Sequence, residues 1–168
     1  IAIFTSIFCS LLLFGQLIDF NRSKPYEKVF VDTDNFGPSY LQYLEDFYES
    51  APTDTLQFEI LNDLSYYWHT RNLKKALNFT MEGLKRTAEK ENILWNGRFQ
   101  ITQGAILLRM EKLDDAQAVL EEAQSKVLAK DIPFLYTQLG YVYERRGQLD
   151  KAADYAMEAL RMGEELND

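Results

Sequence analysis

Amphipathic segments separated by short polar breaks fill the chain from Pro38 onwards. The first of them places four apolar residues at the spacing of one helical face, namely Leu41, Leu44, Phe47 and Tyr48. No stretch sustains the period-two alternation of a strand, so the pattern predicts an all-α protein. The expected helices cover residues 38–50, 55–70, 73–89, 92–110, 113–129, 133–146 and 149–166.

Residues 1–18 carry no charged side chain and read as the apolar region of a signal peptide or a signal anchor. The chain begins with Ile1, so we expect the basic start of this signal to be missing. A run of this length barely crosses about 30 Å of hydrocarbon. An export signal predicts an extracytoplasmic protein, while a buried core segment in a cytoplasmic protein is the alternative. Phe8 precedes Cys9, where a lipoprotein needs a small residue, so lipidation is not expected.

Residues 19–37 are polar and aperiodic, and they predict an irregular arm or linker. The acidic run within them has the composition of a calcium loop but not its ligand spacing. Phe36 stands where an EF-hand needs an oxygen ligand, and Tyr43 stands where it needs a bidentate glutamate. We therefore expect a turn that leads into a helix.

Small residues recur at matched points in three helical pairs. Ala76, Ala116 and Ala152 are 40 and 36 residues apart and open the second helix of each pair. Small side chains at such points let two helix backbones approach closely. The predicted packing positions are Ala76, Gly104, Ala116, Ala123, Gly140, Ala152 and Ala159.

These motifs resemble the tetratricopeptide repeat (TPR) over residues 57–166. The resemblance implies an α-solenoid of three TPR-like helix-turn-helix repeats, at residues 57–90, 97–130 and 133–166, with an extra N-terminal helix at 38–50. Both spacings exceed the usual repeat of about 34 residues, so helices longer by up to about a turn and a half are expected. The terminal proline of the family is absent from all three units.

The resemblance also implies a concave groove lined by the first helix of each pair. Such a lining would suit an extended or helical peptide with apolar side chains and some negative charge. The alternative is that its apolar members bury against neighbouring helices and that its arginines are solvated. The implied positions are Phe58, Leu61, Ser65, Trp68, His69, Arg98, Ile101, Ala105, Leu108, Arg109, Phe134, Thr137, Tyr141, Glu144 and Arg145.

Composition narrows the possible functions. The chain has 168 residues with 18 basic and 26 acidic side chains, a net charge of −8, which disfavours direct contact with nucleic acid. One cysteine and one histidine leave no disulfide framework and no cysteine zinc site. His69 has no nucleophilic partner in sequence, and the acidic pairs Asp114-Asp115 and Glu121-Glu122 suit a helix start and an exposed face. We expect no enzyme activity, no cofactor and no metal.

One ligand of the family is not expected. The clamp that holds the terminal carboxylate of chaperones needs basic and amide side chains at five groove positions. Those positions hold Leu61, Ser65, Thr102, Phe134 and Gln138.

The expected function is a non-catalytic protein–protein interaction module. The lengthened repeats and the export signal resemble the extracytoplasmic sensory or scaffolding region of bacterial TPR-containing sensor histidine kinases. The alternative is a stand-alone periplasmic assembly or scaffold protein of the cell envelope. Residues 162–168 offer no polar capping helix, so we expect a fragment of a larger protein that touches a membrane only through residues 1–18 or a segment beyond the fragment.

Overall fold

The computed structural model describes residues 37–166, and within them the chain is all-α, as predicted. The predicted signal at 1–18 and nearly all of the predicted arm lie outside the described residues. No helix in the described part is both long enough and apolar enough to cross a membrane. The helices are α1 (Pro38–Phe47), α2 (Asp54–Trp68), α3 (Leu73–Glu89), α4 (Ile93–Arg109), α5 (Leu113–Ala123), α6 (Ile132–Arg145) and α7 (Leu149–Glu165).

Three of these helices begin at capping side chains. Thr53, Asn72 and Asn92 precede α2, α3 and α4, and each accepts a hydrogen bond from the backbone N–H three residues later, at 3.2, 3.0 and 3.0 Å. Such a bond satisfies an amide that has no partner inside the helix. Because these signals are local, the predicted starts agree with the observed ones to within one residue.

Three turns between helices share one backbone conformation. Glu91, Glu111 and Gly147 follow α3, α4 and α6 with φ angles of 52°, 58° and 72°. The backbone N–H of the residue that follows each of them donates to the carbonyl of the residue five positions before that donor, at 2.8, 3.0 and 2.9 Å. This arrangement satisfies orphan carbonyls at the helix end, and glycine adopts it at the lowest steric cost.

We predict that Glu91→Gly raises the free energy of unfolding by about 1 kcal/mol, because the left-handed conformation is strained for a residue with a Cβ. Gly147→Ala is expected to lower the free energy of unfolding by a similar amount. Both positions are exposed, so packing does not enter the comparison. Urea unfolding followed by circular dichroism measures the difference, and unchanged midpoints in both variants would contradict it.

Helices that are neighbours in sequence pack as pairs. The closest partners are α2 with α3, α4 with α5 and α6 with α7, while α3 also packs on α4 and α5 on α6. The first helices of these pairs, α2, α4 and α6, touch one another in turn.

Between α6 and α7, Tyr155 stacks on Tyr143 at 5.4 Å and meets Tyr136 edge-on at 5.3 Å. Burial there raises the pKa of Tyr155.

The small residues lie at the helix contacts to different degrees. Ala76, Ala116 and Ala123 are fully buried, Ala159 is nearly so, and Ala152 is half-buried. A Cβ on Gly104 would lie 2.5 Å from Leu120, whereas a Cβ on Gly140 would find its nearest atom at 3.5 Å. Only the first of these two glycines is required by close packing.

Gly97 makes a further close contact, which the sequence pattern did not predict. A Cβ on Gly97 would lie 2.6 Å from the Cβ of Lys126 and 2.8 Å from a methyl of Val127. The segment after α5 therefore covers the first turns of α4.

We predict that Gly104→Ala lowers the free energy of unfolding by about 1–3 kcal/mol, because Leu120 has no room to retreat in a packed interior. Gly140→Ala should be neutral, or stabilising by up to about 1 kcal/mol, since alanine favours a helix interior over glycine. Differential scanning calorimetry of the two variants tests this. Equal effects would show that the two sites are packed alike.

The predicted end of α5 was wrong. The helix stops at Ala123 instead of residue 129, and a 3-10 helix at Ala129–Asp131 leads into α6. Residues 126 and 127 leave the helix because they pack on Gly97. The expectation of longer helices fits α3 and α4, which have 17 residues each, but not α5, which has 11.

Candidate functional site

A groove of about 480 Å³ lies where α2, α4 and α6 run side by side. Nine of the fifteen positions implied by the resemblance are in it, together with Gln138, named above as a clamp position, and Tyr66, which was not predicted. The nine are His69, Ala105, Leu108, Arg109, Phe134, Thr137, Tyr141, Glu144 and Arg145.

Helical spacing brings these side chains to one surface. In α6, Phe134, Thr137, Tyr141 and Glu144 lie three or four residues apart, which is the spacing of one helix face. The same spacing could have identified Tyr66, because it stands three positions before His69.

Four apolar or small polar positions implied for the groove lie in the interior instead. Phe58, Leu61, Ser65 and Ile101 are fully buried. The first two pack with aromatic residues of α4, and Ile101 belongs to the core beneath α5 and α6. The Ser65 hydroxyl donates to the Leu61 carbonyl at 2.7 Å. These residues face neighbouring helices, so no ligand in the groove reaches them.

Trp68 also lies away from the groove. Its indole N–H donates to Glu45 of α1 at 3.2 Å, and the Lys75 ammonium stands 4.0 Å from the ring centroid. Lys75 in turn pairs with Glu45 at 2.7 Å. Trp68 therefore connects α1, α2 and α3, and it does not line the groove as predicted.

Arg98 is a structural residue and not a groove cation. Its Nε and Nη2 donate to the two carboxylate oxygens of Asp131 at 3.1 and 3.2 Å, and both side chains are buried. The Leu128 N–H donates to the same carboxylate at 3.2 Å. This pair ties α4 to the turn that precedes α6, and so sets the separation of two groove walls.

An aromatic wall joins α2 and α6 across the groove. The Tyr66 ring stacks on His69 with centroids 4.2 Å apart and meets Phe134 edge-on at 6.0 Å. His69 Nδ1 donates to the Tyr66 carbonyl, which requires that this nitrogen carry the hydrogen. The wall offers apolar ring surface that a ligand side chain can cover.

Charged side chains stand at the groove mouth. Arg145 Nη1 pairs with Glu111 Oε1 at 2.6 Å, with both groups more than half exposed. Arg109 and Glu144 are exposed and form no ion pair with any residue that the structure describes. A ligand carboxylate could therefore approach Arg109 without breaking an existing pair.

Residues 37–166 contain no group of three or more His, Cys, Asp or Glu side chains placed to hold a metal ion. Comparisons with models of protein families, with curated proteins and with solved structures give no match to this chain. The resemblance to the tetratricopeptide repeat therefore stays a prediction from the sequence.

We predict that Asp131→Asn lowers the free energy of unfolding by about 3–5 kcal/mol, because it leaves the buried guanidinium of Arg98 without its counter-charge. Glu111→Gln is the matched control. It breaks the exposed pair with Arg145 and should cost less than about 1 kcal/mol. Chemical denaturation of both variants compares the two pairs, and a small loss for Asp131→Asn would show that the buried pair is replaceable.

Proposed function

We propose that the pairs α2–α3, α4–α5 and α6–α7 are three TPR-like repeats of an α-solenoid that acts as a non-catalytic protein–protein interaction module. The observation that carries this proposal is the groove between the three first helices. It combines the aromatic surface of Tyr66, Phe134 and Tyr141 with the exposed charged groups of Arg109 and Glu144.

The ligand that suits the groove is a short peptide segment. Tyr66, Phe134 and Tyr141 offer ring faces for aliphatic or aromatic side chains, and large rings in a concave site are typical binding hot spots. Arg109 and Arg145 offer guanidinium groups that hydrogen-bond carboxylates in a bidentate manner. We infer an extended or helical peptide with apolar side chains and at least one carboxylate.

The setting we propose is extracytoplasmic, as the sensory or scaffolding part of a larger bacterial signalling protein. The support is the uncharged apolar run at residues 1–18, which lies outside the described residues. Expression of the chain fused to a reporter that is active only after export tests this setting independently of the groove.

Selection of peptides from a random displayed library tests the groove. Wild-type protein is expected to enrich peptides that combine acidic with aromatic or aliphatic residues. Arg109→Glu should weaken the selected peptides by about tenfold or more, because it places a like charge beside the ligand carboxylate. Lys74→Glu, an exposed reversal of the same sign on α3, is the control and should leave affinity unchanged.

Calorimetric titration measures these affinities, and circular dichroism checks that the variants fold. Equal binding by wild type and Arg109→Glu would contradict the proposed groove. Loss of binding in the Lys74→Glu control alone would place the ligand on α3 and contradict it as well.

A further inference from the structure

A second cleft, of about 580 Å³, lies between α6 and α7. Apolar side chains dominate its lining and several of them face solvent. Leu149 is 65% exposed and Leu160 is 63% exposed. Gly140 and Ala156 form the floor between them. Burial of exposed leucines is favourable, so a ligand that covers this cleft gains binding free energy.

In the preceding helix pair, α4 with α5, a leucine fills the space that corresponds to this cleft. Ala116 and Ala152 are matched positions, so Leu120 of α5 corresponds to Ala156 of α7. Leu120 is fully buried and occupies the space above Gly104. The alanine at the corresponding point is exposed, and Gly140 and Ala156 both line the open cleft. The cleft therefore has a glycine and an alanine where the earlier pair has Gly104 and a buried leucine.

A helix covers each corresponding face in the earlier pairs. Phe99 of α4 lies against Gly83 of α3, where an added Cβ would be 2.3 Å from the ring. Leu135 and Leu139 of α6 are buried in one cluster with Leu120 of α5. The α6–α7 face continues the same series of interfaces, and the part of the chain that the structure describes places no helix on it. An α-helix with large apolar side chains is therefore the shape that this face accepts.

One acidic side chain lines the cleft, and two more lie on α7 within a helical turn of lining residues, since Asp150 follows Leu149 and Glu164 stands four residues after Leu160. Glu144 stands on the α6 side, and Asp150 and Glu164 are exposed on α7. Asp150 and Glu164 flank Met157 at intervals of seven, so they share one edge of the helix. Within residues 37–166 none of these three carboxylates forms an ion pair. A helix that docks here meets negative charge on both sides of its apolar face.

A second copy of the chain fits this face poorly. At the other end of the fold, α1 already covers α2, with Leu41 and Leu44 buried against Ile60 and Leu64. A head-to-tail contact would have to displace α1. A symmetric contact between two α7 helices would bring their acidic edges together, which costs free energy.

We propose that the cleft between α6 and α7 binds an amphipathic α-helix of a partner protein. The helix lays leucine- or phenylalanine-sized side chains in the cleft over Gly140 and Ala156. Lysines or arginines at its edges face Glu144, Asp150 and Glu164. This docking surface adjoins the groove between the first helices and shares Thr137, Tyr141 and Glu144 with it, but the inference does not rest on the peptide-binding proposal.

The experiment uses the full chain and two fluorescein-labelled synthetic helices of 17 residues, the length of α4. Both carry leucines along one face, and their edges hold lysines in one and glutamates in the other. Fluorescence anisotropy is expected to show that the lysine-edged helix binds at least about tenfold more tightly. Ala156→Lys should weaken that binding by about tenfold or more, because it places a bulky like charge in the apolar cleft.

Ala118→Lys is the matched control, since it changes an exposed alanine within α5. It should leave binding unchanged, as should Arg109→Glu in the groove. Equal binding of both peptides, no binding of either, or no effect of Ala156→Lys would overturn the proposal. Loss of binding in Arg109→Glu with full binding in Ala156→Lys would place the peptide in the groove. A wild-type dimer that Ala156→Lys dissociates in sedimentation equilibrium would identify a second copy as the occupant.

Discussion

The close approach of α4 to the helices on either side of it determines how the rest of the chain is arranged. Gly104 leaves room for Leu120 on α5, and Phe99 occupies the space left by Gly83 on α3. An interior at native packing density has no spare volume to absorb a methyl group at such points. Because α4 sits this close to both neighbours, its own first-helix partners α2 and α6 come near enough to share a concave surface.

Buried polar pairs then hold the first helices in register. The Thr102 hydroxyl donates to Asn62 at 2.7 Å and links α4 to α2, with both side chains out of contact with water. On the other side, Arg98 and Asp131 link α4 to the start of α6. A buried polar group costs free energy unless its partner is in place, so any slip of one helix along another would break these bonds. The groove walls are thus positioned by contacts that no ligand touches.

Local signals in the sequence predicted most of the fold, and contacts between distant residues explain what they missed. Helical periodicity and capping residues such as Asn72 and Asn92 act within one turn, so most helix ends could be predicted closely. The early end of α5 depends on the packing of Val127 against Gly97, thirty positions earlier. Arg98 was assigned to the groove because its position on the helix fits, whereas its burial depends on Asp131. A spacing of three and four residues identifies the side chains that share one helix face, but it does not show whether that face is buried or exposed.

The position of α6 connects the two surfaces of the molecule. Thr137, Tyr141 and Glu144 line both the groove and the α6–α7 cleft. They are four and three residues apart, so they form one stripe along the ridge that separates the two sites. Tyr141 is 48% exposed there, and one ring cannot cover a ligand in each site at once. Two ligands that both use this ring would therefore alter each other's affinity, and thermodynamic linkage requires that the two effects be equal.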